Sequence, residues 1–122
     1  MISALDSNTT TLLGLALDAA SMRQQAIAQN IANVNTPGYR RASVSFEERM
    51  VALAGEPPRG KPSLSQLESL RPTLHFDEAT APVQLDREMT DLSATVLHQQ
   101  ALLKVLNKQF ELLGLAINEG KR

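Results

Sequence analysis

The stretch LDREMTDLSATVLHQQALLKVLNKQFELLGLAINE, residues 85–119, decides how this chain folds. Leu85, Met89, Leu92, Val96, Gln99, Leu103, Leu106, Phe110, Leu113 and Ile117 alternate at spacings of four and three, and nine of the ten are apolar. That alternation averages about 3.5 residues, the period at which a helix holds one seam against a partner helix. Asp86 suits an N-cap, which leaves Leu85 just outside the helix. Glu88 and Asp91 suit the positive end of the helix dipole, and Lys121 and Arg122 the negative end. A second stripe, Leu102, Val105, Gln109, Leu112 and Ala116, runs beside the first. Two adjacent stripes on one helix imply more than one helical neighbour.

The other flank repeats the pattern. Residues 8–34 read as a helix, with Asn8, Thr9 or Thr10 offering a side-chain oxygen to cap it. Leu13, Leu17, Ala20, Gln24, Ile27, Ile31 and Val34 keep the four-three spacing, and six of these seven are apolar. Ala16, Ala19 and Ala26 form a neighbouring strip of small residues that lets another helix approach closely. All six prolines, Pro37, Pro57, Pro58, Pro62, Pro72 and Pro82, lie between the flanks. Proline removes a helical donor and clashes with the preceding turn, so the flanks suit long helices and the middle does not. The expected fold is all-α, a single domain over residues 1–122. It has an N-terminal helix at 8–34, a turn, short helix and flexible linker over 35–84, and a C-terminal helix at 85–119. The two long helices are expected to pair as an antiparallel, coiled-coil-like hairpin.

Within the middle, Ser45-Phe46-Glu47-Glu48 fits a capping box, and Phe46, Met50 and Leu53 repeat at helical spacing. Glu56 to Pro62 reads as mobile linker. Leu64, Leu67 and Leu70 suit a second short helix, and residues 73–76 an extended piece.

Composition narrows the function. Twelve Lys+Arg against thirteen Asp+Glu leave a formal charge of −1 over 122 residues, with no basic surplus to draw nucleic acid or an anionic membrane. Three Phe, one Tyr and no Trp make a poor base-stacking platform or small-molecule pocket. The absence of Cys excludes thiol catalysis and Cys-ligated zinc. His75 and His98 are too far apart in sequence for metal-ligand spacing, and partly buried packing is expected at His98. His75 with Asp77 has no evident nucleophile to serve. Asp77-Glu78 and Glu47-Glu48 read as solvated carboxylates. No cofactor, metal, nucleic acid or small-molecule substrate is expected, and no enzyme activity. The apolar run Leu12–Ala20 is too short to span a bilayer, and the first basic residue is Arg23, so no cleaved signal peptide is expected. Gln24 and Gln99 each interrupt a seam once; the plain reading is tolerated polarity, and the sharper one is that they set register between subunits, as single buried polar residues can.

A lone two-helix hairpin would leave the second stripe of the last helix wet, and exposed apolar stripes mark partner surfaces. Periodicity alone therefore points to a chain whose folding is completed by association.

Gln29-Asn30-Ile31-Ala32-Asn33-Val34-Asn35-Thr36-Pro37-Gly38-Tyr39 closes the first helix. Asn35 suits the left-handed conformation at a helix end, Thr36 is pushed out of the helical region by the following proline, and Pro37-Gly38 fits the centre of a type II turn. The whole string resembles the signature near the N-terminus of bacterial flagellar rod, hook and hook-associated proteins. Leu85 to Met89, Gln99 to Leu113 and Ala116-Ile117 resemble the C-terminal region of the same family. His98 stands where that family often has Tyr before Gln. The short, proline-rich middle looks most like a proximal rod subunit.

The resemblance implies a structural subunit of the flagellar basal body, exported unfolded through the flagellar export apparatus and polymerising as a helical tube across the periplasm. Its implied partners are further copies, other rod subunits and the adaptor at the inner-membrane ring, with the region around Tyr39, Phe46 and Met50 adding contacts between subunits. The motif residues carried over are Asn30, Asn33, Asn35, Thr36, Pro37, Gly38 and Tyr39. The assembly surface is expected on Leu13, Leu17, Ile27, Ile31, Val34, Val96, Leu103, Leu106, Phe110, Leu113 and Ile117. The alternative is a soluble helical adaptor or chaperone that forms a discrete dimer or four-helix bundle.

Overall fold

The computed structural model describes residues 7–54, 64–78 and 82–120. Among the described residues six elements follow one another: α1 (Ser7–Ala32), β1 (Ala42–Ser45), α2 (Glu47–Ala54), α3 (Leu64–Ser69), β2 (Thr73–Phe76) and α4 (Leu85–Gly120). The two long flanking helices are present, in the segments that lack proline to break them. At ~1.5 Å per residue, the 26 residues of α1 reach about 39 Å and the 36 residues of α4 about 54 Å.

α1 and α4 lie side by side and run in opposite directions. Thr10 meets Gln109 at 3.5 Å, Gln24 pairs with Gln99, and Asn30 reaches Glu88 at 3.1 Å, so partners on α4 descend as α1 ascends. The seam foreseen on α1 is protected along its length: Ala20 and Ile27 are buried, and Leu13, Leu17, Gln24, Ile31 and Val34 half-buried.

The fold is not all-α. β1 and β2 form a two-stranded antiparallel sheet in which Ala42 faces Phe76, Ser43 His75, Val44 Leu74 and Ser45 Thr73. The extended piece at 73–76 is thus a strand, and its partner at 42–45 went unforeseen. Four residues carry too little alternation to announce a strand, and pairing with β2 is what makes this one.

A second core lies on the face of α1 bearing Leu12, Leu15, Ala16 and Ala19. Phe46 and Leu70, 1% and 2% exposed, fill it with Leu67, and Val44, Met50 and Leu53 pack around them. The helical spacings of Phe46, Met50 and Leu53, and of Leu67 and Leu70, are therefore real. However, Phe46 is buried in this chain's own core, which withdraws it from the subunit contacts the resemblance implied, whereas Met50 packs there half-buried.

Several local expectations need correction. Thr9 and Thr10 cannot cap α1, and neither can Asn8, because the helix already runs from Ser7; the Thr10 hydroxyl instead donates to Gln109 Oε1. Asn35 is not left-handed, since Gly38 is the sole described residue with positive φ, at 75°. The chain leaves α1 through tightening turns, with Val34 N–H donating to the Ile31 carbonyl at 3.3 Å. Asp86 is not the N-cap of α4, because Glu88 N–H already donates to the Gln84 carbonyl at 3.0 Å, so Leu85 is helical. Asp86 accepts from the Arg87 N–H in the first turn, where its charge suits the dipole. At α2, Met50 N–H donates to the Phe46 carbonyl, so the cap is Phe46 rather than Ser45. The Glu56–Pro62 linker and the Lys121–Arg122 end lie outside the described residues.

Candidate functional site

The turn after α1 is built by its own side chains. Asn33 Nδ2 donates to the Gln29 carbonyl at 2.8 Å, tying the last turn back on itself. Thr36 Oγ1 donates to Asn33 Oδ1 at 3.1 Å, and Thr36 N–H to the Asn33 carbonyl at 2.9 Å. Tyr39 N–H then closes on the Thr36 carbonyl at 3.3 Å around Pro37-Gly38. Gly38 takes the positive φ that the third position of a type II turn demands. A Cβ there would meet nothing within 4 Å, so glycine is required by conformation rather than space.

Asn30 is the hinge of this arrangement. It is fully buried, and its amide makes four hydrogen bonds. Nδ2 donates to the Ala42 carbonyl at 2.9 Å and to Glu88 Oε2 at 3.1 Å. Oδ1 accepts from Ala42 N–H at 2.8 Å and from the Tyr39 hydroxyl at 2.9 Å. One side chain thus joins α1, the turn, β1 and α4. Glu88 is 1% exposed and accepts from Arg41 Nε at 2.5 Å, while Arg41 also reaches Asp91 at 3.5 Å. The Glu88 hydrogen bond holds the Arg41 pKa above its ordinary value despite the opposing effect of burial. Burial, and then the charge of Glu88, raise the Tyr39 pKa, which keeps its hydroxyl a donor to Asn30.

The motif residues Asn30, Asn33, Thr36, Pro37, Gly38 and Tyr39 therefore act together, and Asn35 makes no side-chain bond in the described set. Sequence reasoning missed Arg41 and read Glu88 only as a charge suited to the helix dipole. A first-turn carboxylate has that sufficient local explanation, so nothing in the sequence marked it as buried and paired.

The interface residues divide. The face of α4 turned to the rest of the chain is Glu88, Leu92, Thr95, Gln99, Leu102, Leu106, Gln109, Leu113 and Ala116, all buried or half-buried, with its own four-three spacing. Leu106 and Leu113 belong to it. Val96, Leu103, Phe110 and Ile117 do not. With Met89 they form an outward stripe of five apolar residues spaced by seven, 37% to 59% exposed. Val105 and Leu112, on the opposite flank of the inward face, are exposed too. The helix thus buries its more polar stripe and presents its wholly apolar one. Gln24 and Gln99 bond to each other across the α1–α4 seam of this single chain, so their amides are paired within the subunit rather than between subunits.

Other polar groups are structural or solvated. His98 is exposed, contrary to expectation, and His75 contacts the Thr73 hydroxyl at 3.1 Å on an exposed strand. Glu47 is not merely solvated: it pairs with Arg23, which also donates to the Val44 carbonyl at 3.3 Å. Burial pushes the Glu47 carboxyl up, but its bonds to Arg23 and to its own backbone, with the charges of Arg23 and His98, outweigh this and hold it low. A groove of about 250 Å³ runs between α1, β1 and α4, walled by Ile27, Val44 and Thr95, with Arg23 and Arg41 already ion-paired along it. Among the described residues no cluster of acidic and histidine side chains is placed to hold a metal ion, and no helix is long and apolar enough to cross a membrane.

Comparison with known proteins agrees with the motif. The family model described as flagella basal body rod protein matches residues 14–40, which span most of α1 and the whole turn. The flagellar basal body rod protein FlgB of Bacillus subtilis is 27% identical over 128 residues, covering 97% of this chain and 99% of the relative. FlgB of Borrelia hermsii is 53% identical over 34 residues, 28% of this chain and 25% of the relative. FlgB of Borreliella burgdorferi is 47% identical over a stretch of the same length.

Proposed function

We propose that this chain is a member of the flagellar basal body rod protein family and that it polymerises through its terminal helices into the periplasm-spanning shaft of the flagellum. It is a FlgB-like structural component of the flagellar basal body and not an enzyme. The observation that carries the proposal is the outward apolar stripe of α4, Met89, Val96, Leu103, Phe110 and Ile117, left uncovered by every described element. A stripe of that length on one helix costs solubility in a monomer and gains burial only against other helices.

On this reading the whole chain is one rod-core domain. α1 and the inward face of α4 pair as a coiled-coil-like hairpin, using Leu13, Leu17, Ile27, Ile31, Val34, Leu106 and Leu113 within the subunit. Val96, Leu103, Phe110 and Ile117 pack against neighbouring subunits, both further copies and other rod proteins. The adaptor of the inner-membrane ring meets one end of the array. The chain reaches its place unfolded, through the flagellar export apparatus and without signal cleavage. Head-to-tail contacts of this kind do not close, so the product is a tube and not a counted oligomer.

The test is complementation of a bacterium lacking this chain with the Leu103→Asp variant. The variant is expected to stay soluble with unchanged helix content, to be absent from purified basal bodies, and to leave the cells non-motile. Wild-type incorporation would overturn the proposal. A compact dimer of the wild-type chain that never enters basal bodies would favour the adaptor reading instead.

A further inference from the structure

The sheet has one edge closed and one edge open. In an antiparallel pair, residues alternate between those that bond across the ladder and those whose N–H and C=O point away from it. Asp77 N–H donates to the Arg41 carbonyl at 2.9 Å, which makes 41 and 77 a bonded pair. By alternation 43 with 75 and 45 with 73 are bonded pairs too, whereas Ala42, Val44, Leu74 and Phe76 point outward. On β1 that outward edge is occupied: Asn30 takes both the N–H and the C=O of Ala42, and Arg23 takes the C=O of Val44. On β2 the N–H and C=O of Leu74 and of Phe76 have no partner among the described residues, and all four residues of the strand are exposed.

We propose that the outer edge of β2 pairs antiparallel with the β2 edge of a second copy of this chain, so that two sheets merge into one of four strands. Three features select this occupant. First, setting Leu74 against Phe76 of the second copy, and Phe76 against its Leu74, satisfies all four outward backbone groups of both edges by one twofold. Second, the strand has a basic beginning and an acidic end: Arg71 and Arg49 lie at Thr73, with Arg49 Nη1 donating to Thr73 Oγ1 at 3.1 Å, while Asp77 and Glu78 follow Phe76. Antiparallel pairing brings each basic beginning alongside the other copy's acidic end, whereas parallel pairing sets like against like. Third, Leu74 and Phe76, 42% and 54% exposed, share one face, and the merged sheet lines up two of each as cross-strand neighbours. Pro72, without an N–H, ends the ladder one step before Leu74 and keeps it short. This contact involves no residue of α4; because its twofold turns the two copies in opposite directions, it is a contact of the free chain, which opens when a copy joins a head-to-tail array.

The experiment is sedimentation equilibrium of the full chain over a concentration series, with residue-resolved amide exchange. A concentration-dependent dimer is expected, with the Leu74 and Phe76 amides gaining protection as it forms while those of Ser43 and His75 are protected throughout. Leu74→Pro removes an outward donor and no β1–β2 bond, and is expected to weaken the dimer about tenfold or more. Arg71→Glu and Glu78→Arg should each weaken it, and the two together should restore it. The inference is overturned by a chain that stays monomeric across the series, by a dimer indifferent to Leu74→Pro, which would place the contact on α4, or by a double charge variant that fails to recover.

Discussion

Asn30 uses both ends of its amide twice, and no other residue with both donors and acceptors in that geometry fits the same space. Ala42 N–H and C=O, the Tyr39 hydroxyl and Glu88 Oε2 all depend on it. Leaving a buried polar group without its partner costs about 1–3 kcal/mol. Asn30→Ala orphans the Ala42 pair outright, so a loss of about 2–4 kcal/mol is expected in denaturant unfolding; a change within ±0.5 kcal/mol would show that water replaces the amide freely. Glu47 supports a separate expectation. Its folded pKa lies below its ordinary value, so its pairing with Arg23 stabilises the fold above the unfolded carboxylate pKa and is lost as pH falls through the folded one. The stability gap between wild type and Glu47→Gln should therefore be present at neutral pH and close in acid. Because the carboxylate is 45% exposed, the gap is that of a screened surface pair and shrinks in high salt.

At the scale of elements, the two long helices were legible because proline confinement and a four-three repeat are strong, redundant signals. The face that α4 turns inward was not. Its two stripes are both apolar enough, and periodicity cannot say which of them meets α1. Polar partners decide it: Glu88 has Arg41 and Asn30, Gln99 has Gln24, and Gln109 has Thr10, all on the same side. β1 was hidden for a related reason, since its outward edge is completed by side chains of α1, a relation no local window contains. The turn, by contrast, was readable residue by residue, apart from Asn35. The Gln24–Gln99 pair offers a test of how the helices hold register. Gln24→Leu or Gln99→Leu alone strands the other amide in the seam and should cost about 1–2 kcal/mol, while the double replacement should recover most of it, since removing both partners of a hydrogen bond is close to neutral. A double-mutant cycle in urea measures the coupling; strict additivity would mean that the two amides do not depend on each other.

For the whole molecule, burying the polar stripe of α4 and exposing the apolar one sets the chain's own packing and the proposed assembly surface on opposite sides of one helix. Leu106 is half-buried against the chain itself, and Phe110, one turn on, is 51% exposed. The same chemical change at the two positions should therefore fail in different ways. Leu106→Asp puts a charge into the α1–α4 seam and should lower the unfolding free energy of the isolated chain by about 2–4 kcal/mol, with faster amide exchange along both helices. Phe110→Asp removes apolar area that the monomer leaves in water, so the isolated chain should lose less than about 0.5 kcal/mol and gain solubility, yet be missing from basal bodies. Unfolding curves of the two purified variants, set beside their abundance in isolated basal bodies, separate the cases. If Phe110→Asp destabilised the free chain as much as Leu106→Asp, the outward stripe would be part of the monomer's own core. The division of labour between the two faces of α4 would then be wrong.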